Sequence, residues 1–373
     1  MVVTGLLFEK QDIHQGGLVQ TQTGEWWTIL FKDAGTIGRI PYLEPVVWKD
    51  GWPILGDNGI DVSKGGKSYK KPNVGKEYPK TYLPTNDGFN TDKLGMQWEW
   101  NHNPDNSAWS LTERPGFLRL YTSGIVKEGT DTKLNEFLQA RNTLTQRMFG
   151  YDKEGASTST DTYGTICLDV SHMKEGDVAG LCVFQDPHAY VAVKMIDGKK
   201  RVVYYRAPWW EPKADWQGVV DDTEHYRKFS TSTGSHNDKI YLRAVANFKT
   251  NKLKFYISWD NQKWFDLGKD AETEMRYTLK IFTGNRFAIF NYATQQNGGY
   301  VDVDWFSTEE TVDENKFNDL TAIEQVESKT KRIVSRQFYN VSGVKLPRPQ
   351  HGLNIVKTRY EDGTEKTYSF VKQ

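Results

Sequence analysis

An all-β fold is what this sequence predicts, and three observations predict it. Short runs rich in β-branched and aromatic residues recur along the 373 residues, punctuated by Gly, Asn and Asp turn signals. Aromatic residues are abundant, with 13 Trp, 19 Tyr and 18 Phe, and 32 Gly supply tight turns. No apolar repeat of helical period is long enough to compete. The chain also exceeds the ~100–200 residues of an ordinary domain, so more than one folded part is expected.

Lys plus Arg equal Asp plus Glu at 48 each, so no overall field draws the chain to nucleic acid or an anionic membrane surface. A neutral substrate is compatible. Sugar C–H faces pack on aromatic rings, although most of these rings belong in the core. Cys167 and Cys182 are too few for a disulfide framework and read as two buried thiols on neighbouring strands. No apolar run reaches the length of a membrane helix, and the opening MVVTGLLFEK shows no signal peptide. The seven histidines lack zinc spacing, and no G-x-S-x-G, Walker loop or dinucleotide fingerprint occurs.

In chain order, residues 1–57 read as three or four strands, including EWWTILF (25–31) and YLEPVVW (42–48), with Gly16, Gly17, Gly35 and Gly38 between them. So small a piece cannot bury Trp26, Trp27, Phe31, Trp48 and Trp52 by itself. Residues 58–84, rich in Gly, Lys and Pro, read as an extended surface linker. Residues 85–309 carry many short strands, among them 118–122, 165–170, 179–185, 190–196, 201–206, 240–248, 252–259, 287–293 and 300–306, which predict a β-sandwich. The strand expected over 138–150, LQARNTLTQRMFG, sorts by a period of two. Leu138, Ala140, Leu144 and Met148 fall on a core face, and Gln139, Arg141, Thr143, Thr145 and Arg147 on a polar face, solvated or touching sugar. Asn142 and Gln146 interrupt the apolar row, so either they find buried partners or the strand bends there. His102 reads as a turn or sugar-contacting residue, and APWWEPKADW (207–216) as a sugar platform or a cover for the sheet. Residues 310–332 form a tether or short helix, with Phe317, Leu320, Ile323 and Val326 at helical spacing. Residues 333–373 form a small β module.

The segment 14–56, HQGGLVQTQTGEWWTILFKDAGTIGRIPYLEPVVWKDGWPILG, resembles the last blade of the five-bladed propeller of glycoside hydrolase family 43, the β-xylosidases and α-L-arabinofuranosidases. Five blocks in the same order resemble the concanavalin-like sandwich of many such enzymes. They are DGFNTDKLGMQWEWNHNPD (87–105), PGFLRLYT (115–122), LQARNTLTQRMFG, GDVAGLCVFQD (176–186) and TGNRFAIFNYATQQNGGYVDVDWF (283–306). The resemblance implies that His14 helps to hold a central metal or water and that Arg39 points to substrate. It also implies that a sandwich loop closes the pocket with an aromatic side chain, for which Phe282 is the candidate. A structural calcium is implied as well, with Asp304 as its ligand from VDVDWF; Asp302 shares its face by alternation and need not be a ligand.

The resemblance further implies an inverting mechanism with an Asp base, a Glu acid and a second Asp that tunes the acid. Glu9, Asp12, Glu25, Asp33, Glu44 and Asp50 match none of these motifs, so the chain is expected to lack them and to be inactive alone. The tail resembles the C-terminal sorting domains of type IX secretion through YNVSG (339–343), PQHG (349–352) and a short Ile-Val strand, which implies an extracellular or cell-surface parent protein. The expected role is therefore the C-terminal portion of an enzyme acting on xylan or arabinan side chains. The alternatives are a non-catalytic carbohydrate-binding module using Trp209 and Trp210, or a subunit that complements a separately encoded propeller half.

Overall fold

The computed structural model describes residues 13–56, 69–79, 81, 83–126, 136–149, 161–207, 225–228, 238–267, 273–278, 281, 283–318, 333–360, 363 and 365–372. They divide into two compact units, one of residues 1–89 and 93–310, the other of residues 90–92 and 311–373.

The first unit opens with a four-stranded antiparallel meander, β1 (Ile13–Gln20), β2 (Trp26–Asp33), β3 (Arg39–Lys49) and β4 (Trp52–Leu55). Its last hairpin turns on Asp50 and Gly51, both at positive φ, the conformation a two-residue Asp-Gly turn supplies. Residues 69–79 then fold back onto the first hairpin instead of running free. Tyr69 packs edge-on against Trp27 at 6.4 Å, the Asn73 amide donates to Glu25 Oε2 at 2.8 Å, and Thr23 Oγ1 donates to the Asn73 carbonyl at 2.6 Å. The Asn73 amide, with help from the Trp27 indole, holds the Glu25 carboxyl below its usual range.

A two-sheet sandwich follows. One sheet orders β13 (His225–Lys228), β12 (Lys199–Arg206), β11 (Ala189–Ile196), β10 (Asp177–Phe184), β18 (Arg286–Ala293), β8 (Leu144–Arg147) and β5 (Trp98–Trp100). The other orders β16 (Trp264–Asp266), β15 (Lys252–Ser258), β14 (Lys239–Asn247), β9 (Asp161–Asp169), β19 (Tyr300–Ser307), β7 (Leu118–Tyr121) and β6 (Trp109–Ser110), with β17 (Thr273–Glu274) paired to β15. Leu181, Val191, Phe287 and Ile289 of the first sheet meet Leu118, Ile166, Leu242 and Phe255 of the second in one core.

The middle of the first sheet, β10, β11 and β18, is buried on both faces. Its alternate residues Cys182, Phe184, Tyr190, Phe290 and Tyr292 form a second apolar cluster under Phe137. This explains why β10 is buried at every position and carries no polar side chain after Asp177. His188 lies in this cluster, 4.6 Å from the Phe137 ring, and burial pushes its imidazole down to about 3, which keeps it neutral. Fully burying a Phe side chain contributes about 2–3 kcal/mol, so Phe137 stabilises the cover substantially.

Two expectations need correction. The strand expected over 138–150 is only Leu144–Arg147; a 3-10 turn occupies Glu136–Gln139, and Asn142 sits at positive φ. Leu138 and Ala140 face the second cluster, whereas Leu144 and Met148 face the inter-sheet core. The polar row is not solvated throughout, since Thr143 and Thr145 are buried and donate to the Ala140 and Glu99 carbonyls. Asn142 bonds both main-chain groups of Asp105, and Gln146 donates to the Thr85 carbonyl. The two thiols are buried, but Cys167 is on β9 and Cys182 on β10, strands of different sheets.

The second unit contains a four-stranded antiparallel sheet in the order β21 (Lys345–Leu346), β20 (Ile333–Asn340), β22 (Gly352–Tyr360) and β23 (Glu365–Lys372). A short helix, α1, covers Asn315–Asn318, and Leu320, Ile323 and Val326 lie outside the described residues.

Asp177 opens β10 fully buried, its Oδ2 accepting the Lys174 amide at 2.7 Å and its Oδ1 without a hydrogen-bond partner. Burial pushes its carboxyl up to about 6, above the unfolded value. The native state therefore holds this proton more tightly, and the contribution is present below pH ~4 and lost as pH rises through about 6. Asp177→Asn should leave stability near wild type at pH 4 and raise it by about 2 kcal/mol at pH 8, measured as the difference between two urea unfolding curves.

Candidate functional site

The candidate site grows from the turn between β2 and β3. Gly35 and Gly38 both take positive φ, which L side chains avoid. They bracket a 3-10 turn, Gly35–Ile37, closed by the Ala34 amide donating to the Gly38 carbonyl at 2.8 Å. That turn inserts Thr36 and Ile37 into the sandwich. Thr36 is buried; its Oγ1 donates to Asn251 Oδ1 at 2.7 Å, and its carbonyl accepts both the amide and the Nδ2 of Asn285 at 2.9 Å. Ile37 packs on the inter-sheet core.

The sandwich meets this turn with the loop that precedes β18. Gln185, wholly buried, donates through Nε2 to the carbonyls of Ile281 at 3.2 Å and Thr283 at 2.5 Å. Arg286 binds Thr283 Oγ1 at 3.2 Å and forms an ion pair with Glu99. So held, the two backbones nearly touch: a Cβ on Gly38 would stand 2.5 Å from the Gly284 nitrogen, and one on Gly284 would stand 1.9 Å from the Ile37 carbonyl oxygen.

Arg39 follows Gly38, and Phe282 precedes Gly284 by two residues. The junction therefore brings together the chain segments that carry both expected substrate-binding residues. The Arg39 Nε donates to Asp33 Oδ1 at 3.1 Å, and its guanidinium lies 4.0 Å from the centre of the Phe31 ring. These contacts hold the guanidinium against the β2–β3 hairpin. Phe282 itself lies outside the described residues. The backbone of His14 is in β1, at a register irregularity before Gly16; its side chain is outside the described residues.

Asp302 and Asp304 take different partners in β19. The register slips between Val303 and Trp305, making Asp304 the extra residue of a bulge. Asp302 is buried and receives Arg119 at 2.8 Å and Arg114 at 2.9 Å, so it belongs to an ion-pair network. The Arg119 guanidinium is held above its ordinary range chiefly by its hydrogen bond to Asp302. Asp304 Oδ2 lies 3.2 Å from Lys239 Nζ. A calcium ion there would have to displace that ammonium, and among the described residues no group of three or more His, Cys, Asp or Glu side chains is placed to hold a metal.

Thr36 and Asn285 were not singled out from the sequence; Gly284 belongs to the 282–284 turn read as the pocket-closing loop, and Asn251 to a turn between strands. Only the Gly35/Gly38 spacing and the Thr283-Gly284-Asn285 turn hint at them. His102 Nε2 lies 2.8 Å from the Leu138 carbonyl, a main-chain contact that ties its turn to residue 138. Trp209 and Trp210 lie outside the described residues.

Residues 86–309 match the family described as the β-xylosidase C-terminal concanavalin A-like domain. A β-xylosidase of Formosa agariphila is 32% identical over 325 residues, which cover 81% of this chain and 49% of that protein. A non-reducing end α-L-arabinofuranosidase of Bacteroides ovatus is 35% identical over 122 residues, 31% of this chain and 22% of that protein. Among solved structures, a bifunctional GH43-CE protein of Bacteroides eggerthii superposes with a TM-score of 0.60 at 39% identity, covering 81% of this chain and 34% of that one. The chain thus spans about half, or less, of the length of these relatives.

Replacing Gly38 by Ala forces a methyl group against Gly284 at positive φ and should destabilise the chain by about 3 kcal/mol in urea unfolding. Asn285→Ala removes the side-chain bonds to the Thr36 and Arg276 carbonyls, keeps the backbone bond to Thr36, and should cost about 2 kcal/mol.

Proposed function

The chain belongs to the glycoside hydrolase family 43 proteins that carry this C-terminal concanavalin A-like domain, and from that premise we propose that it is the C-terminal portion of a secreted enzyme releasing xylose or arabinose from plant polysaccharide. The observation that carries this reading is the junction at Gly38 and Gly284. It sets Arg39 and the 281–284 loop side by side, as a pocket built from two folds requires. In this reading Arg39 binds the sugar, the loop closes one side of the pocket and excludes water, and the base and acid carboxylates come from propeller blades outside these residues.

The small sheet supports such a partner. Val19, Ile29, Leu43, Val47 and Trp52 project from one of its faces and are each about half exposed. An apolar patch of this kind marks an interaction surface. Further blades of the same polypeptide, or a separately encoded propeller half, would cover it. The four-stranded sheet of the second unit, read by resemblance as a sorting module, supports an extracellular or cell-surface location for the parent enzyme.

The 373-residue chain alone should not turn over nitrophenyl β-xyloside or α-arabinofuranoside; parent-like rates would sink the proposal. Joined to, or coexpressed with, a family 43 propeller, it should restore release of one of these sugars. In that assembly Arg39→Ala should lower kcat/KM by about 100-fold.

A further inference from the structure

On the outer face of the eight-stranded sheet, one buried guanidinium makes no salt bridge among the described residues. Arg243 of β14 stands in register between Thr165 of β9 and Tyr256 of β15, and is 8% exposed. Its Nε donates to Thr165 Oγ1 at 2.9 Å, and the guanidinium lies 3.8 Å from the Trp264 ring centre and 5.9 Å from that of Tyr163. Among the described residues no carboxylate forms a salt bridge with it, and its two Nη groups have no protein acceptor. Arg119 of the same sheet, by contrast, is paired to Asp302. Glu310 is near enough for its charge to be felt by Arg243, without a salt bridge between them.

A desolvated arginine is ordinarily paired with an acid, because burial penalises its charge and its planar fork matches a carboxylate bidentately. The same burial pulls the proton affinity of Arg243 below its ordinary value. Around it, Tyr163, Tyr256 and Trp264 are half-buried and retain exposed ring surface. Such surfaces pack on the C–H faces of a sugar, as a bare anion cannot exploit.

We infer that Arg243, with Tyr163, Tyr256 and Trp264, forms a binding site for a carboxylate-bearing sugar, a uronic acid residue. The carboxylate takes the two free Nη groups, and the aromatic rings flank the pyranose. Arg243 is a binding residue here, with no part in bond cleavage. The site is independent of the junction at Gly38, so its failure leaves the glycosidase reading untouched.

The test is a titration of the full chain with D-glucuronate, D-glucose and acetate, followed by calorimetry and by the NMR signal of the Trp264 indole, assigned with Trp264→Phe. Glucuronate should bind with a dissociation constant of about 1 mM or tighter and shift that signal. Glucose and acetate should each bind at least about tenfold more weakly. Arg243→Lys, which keeps the charge and loses the fork, should weaken glucuronate by about tenfold. If that variant does not fold, the titration of the unaltered chain decides alone. No shift with glucuronate overturns the site; acetate binding as tightly as glucuronate overturns its assignment to a sugar, as does glucose binding equally well.

Discussion

The architecture of the first unit depends on a place where two main chains cross with no room for a methyl group. At Gly38 and Gly284 the separation is set by backbone, which cannot yield as a flexible side chain does. Everything near the crossing enforces it. Thr36 is anchored through its hydroxyl and its carbonyl to Asn251 and Asn285, and Gln185 and Arg286 hold the opposing loop from behind. The small sheet is too thin to bury both faces, so its orientation comes from this insertion more than from a core of its own.

The sandwich illustrates a second constraint, that a sheet buried on both faces must be covered twice. Inter-sheet packing covers one side of β10, β11 and β18; Phe137 and its neighbours cover the other. That explains the aromatic richness better than sugar recognition does. Phe290, Tyr190 and Tyr292 are core, with the two tyrosine hydroxyls 3.0 Å apart so that neither is buried unsatisfied.

Much of the fold was legible because β periodicity is local. The strands expected at 118–122, 252–259 and 300–306 differ from those observed by one residue at an end. Residues 138–150 misled because Leu138 and Ala140 serve one apolar cluster and Leu144 and Met148 another, so a bent segment imitates one alternating strand. Around the junction, Arg39 and the loop near Phe282 could be found by resemblance. The bond from Asn285 to Thr36 spans 249 positions, a distance over which no local pattern carries information.

The strap at Tyr69 and Asn73 changes the polymer physics of the connection. A free tether from Gly56 to Thr85 would let the small sheet wander over a wide volume. Fastened at Asn73, only about a dozen residues separate the anchored point from the first sandwich residue. The local concentration of the inserting turn at its receptor rises accordingly. Lengthening the chain before the anchor should therefore be silent, whereas the same insertion after it loosens the hold on the crossing.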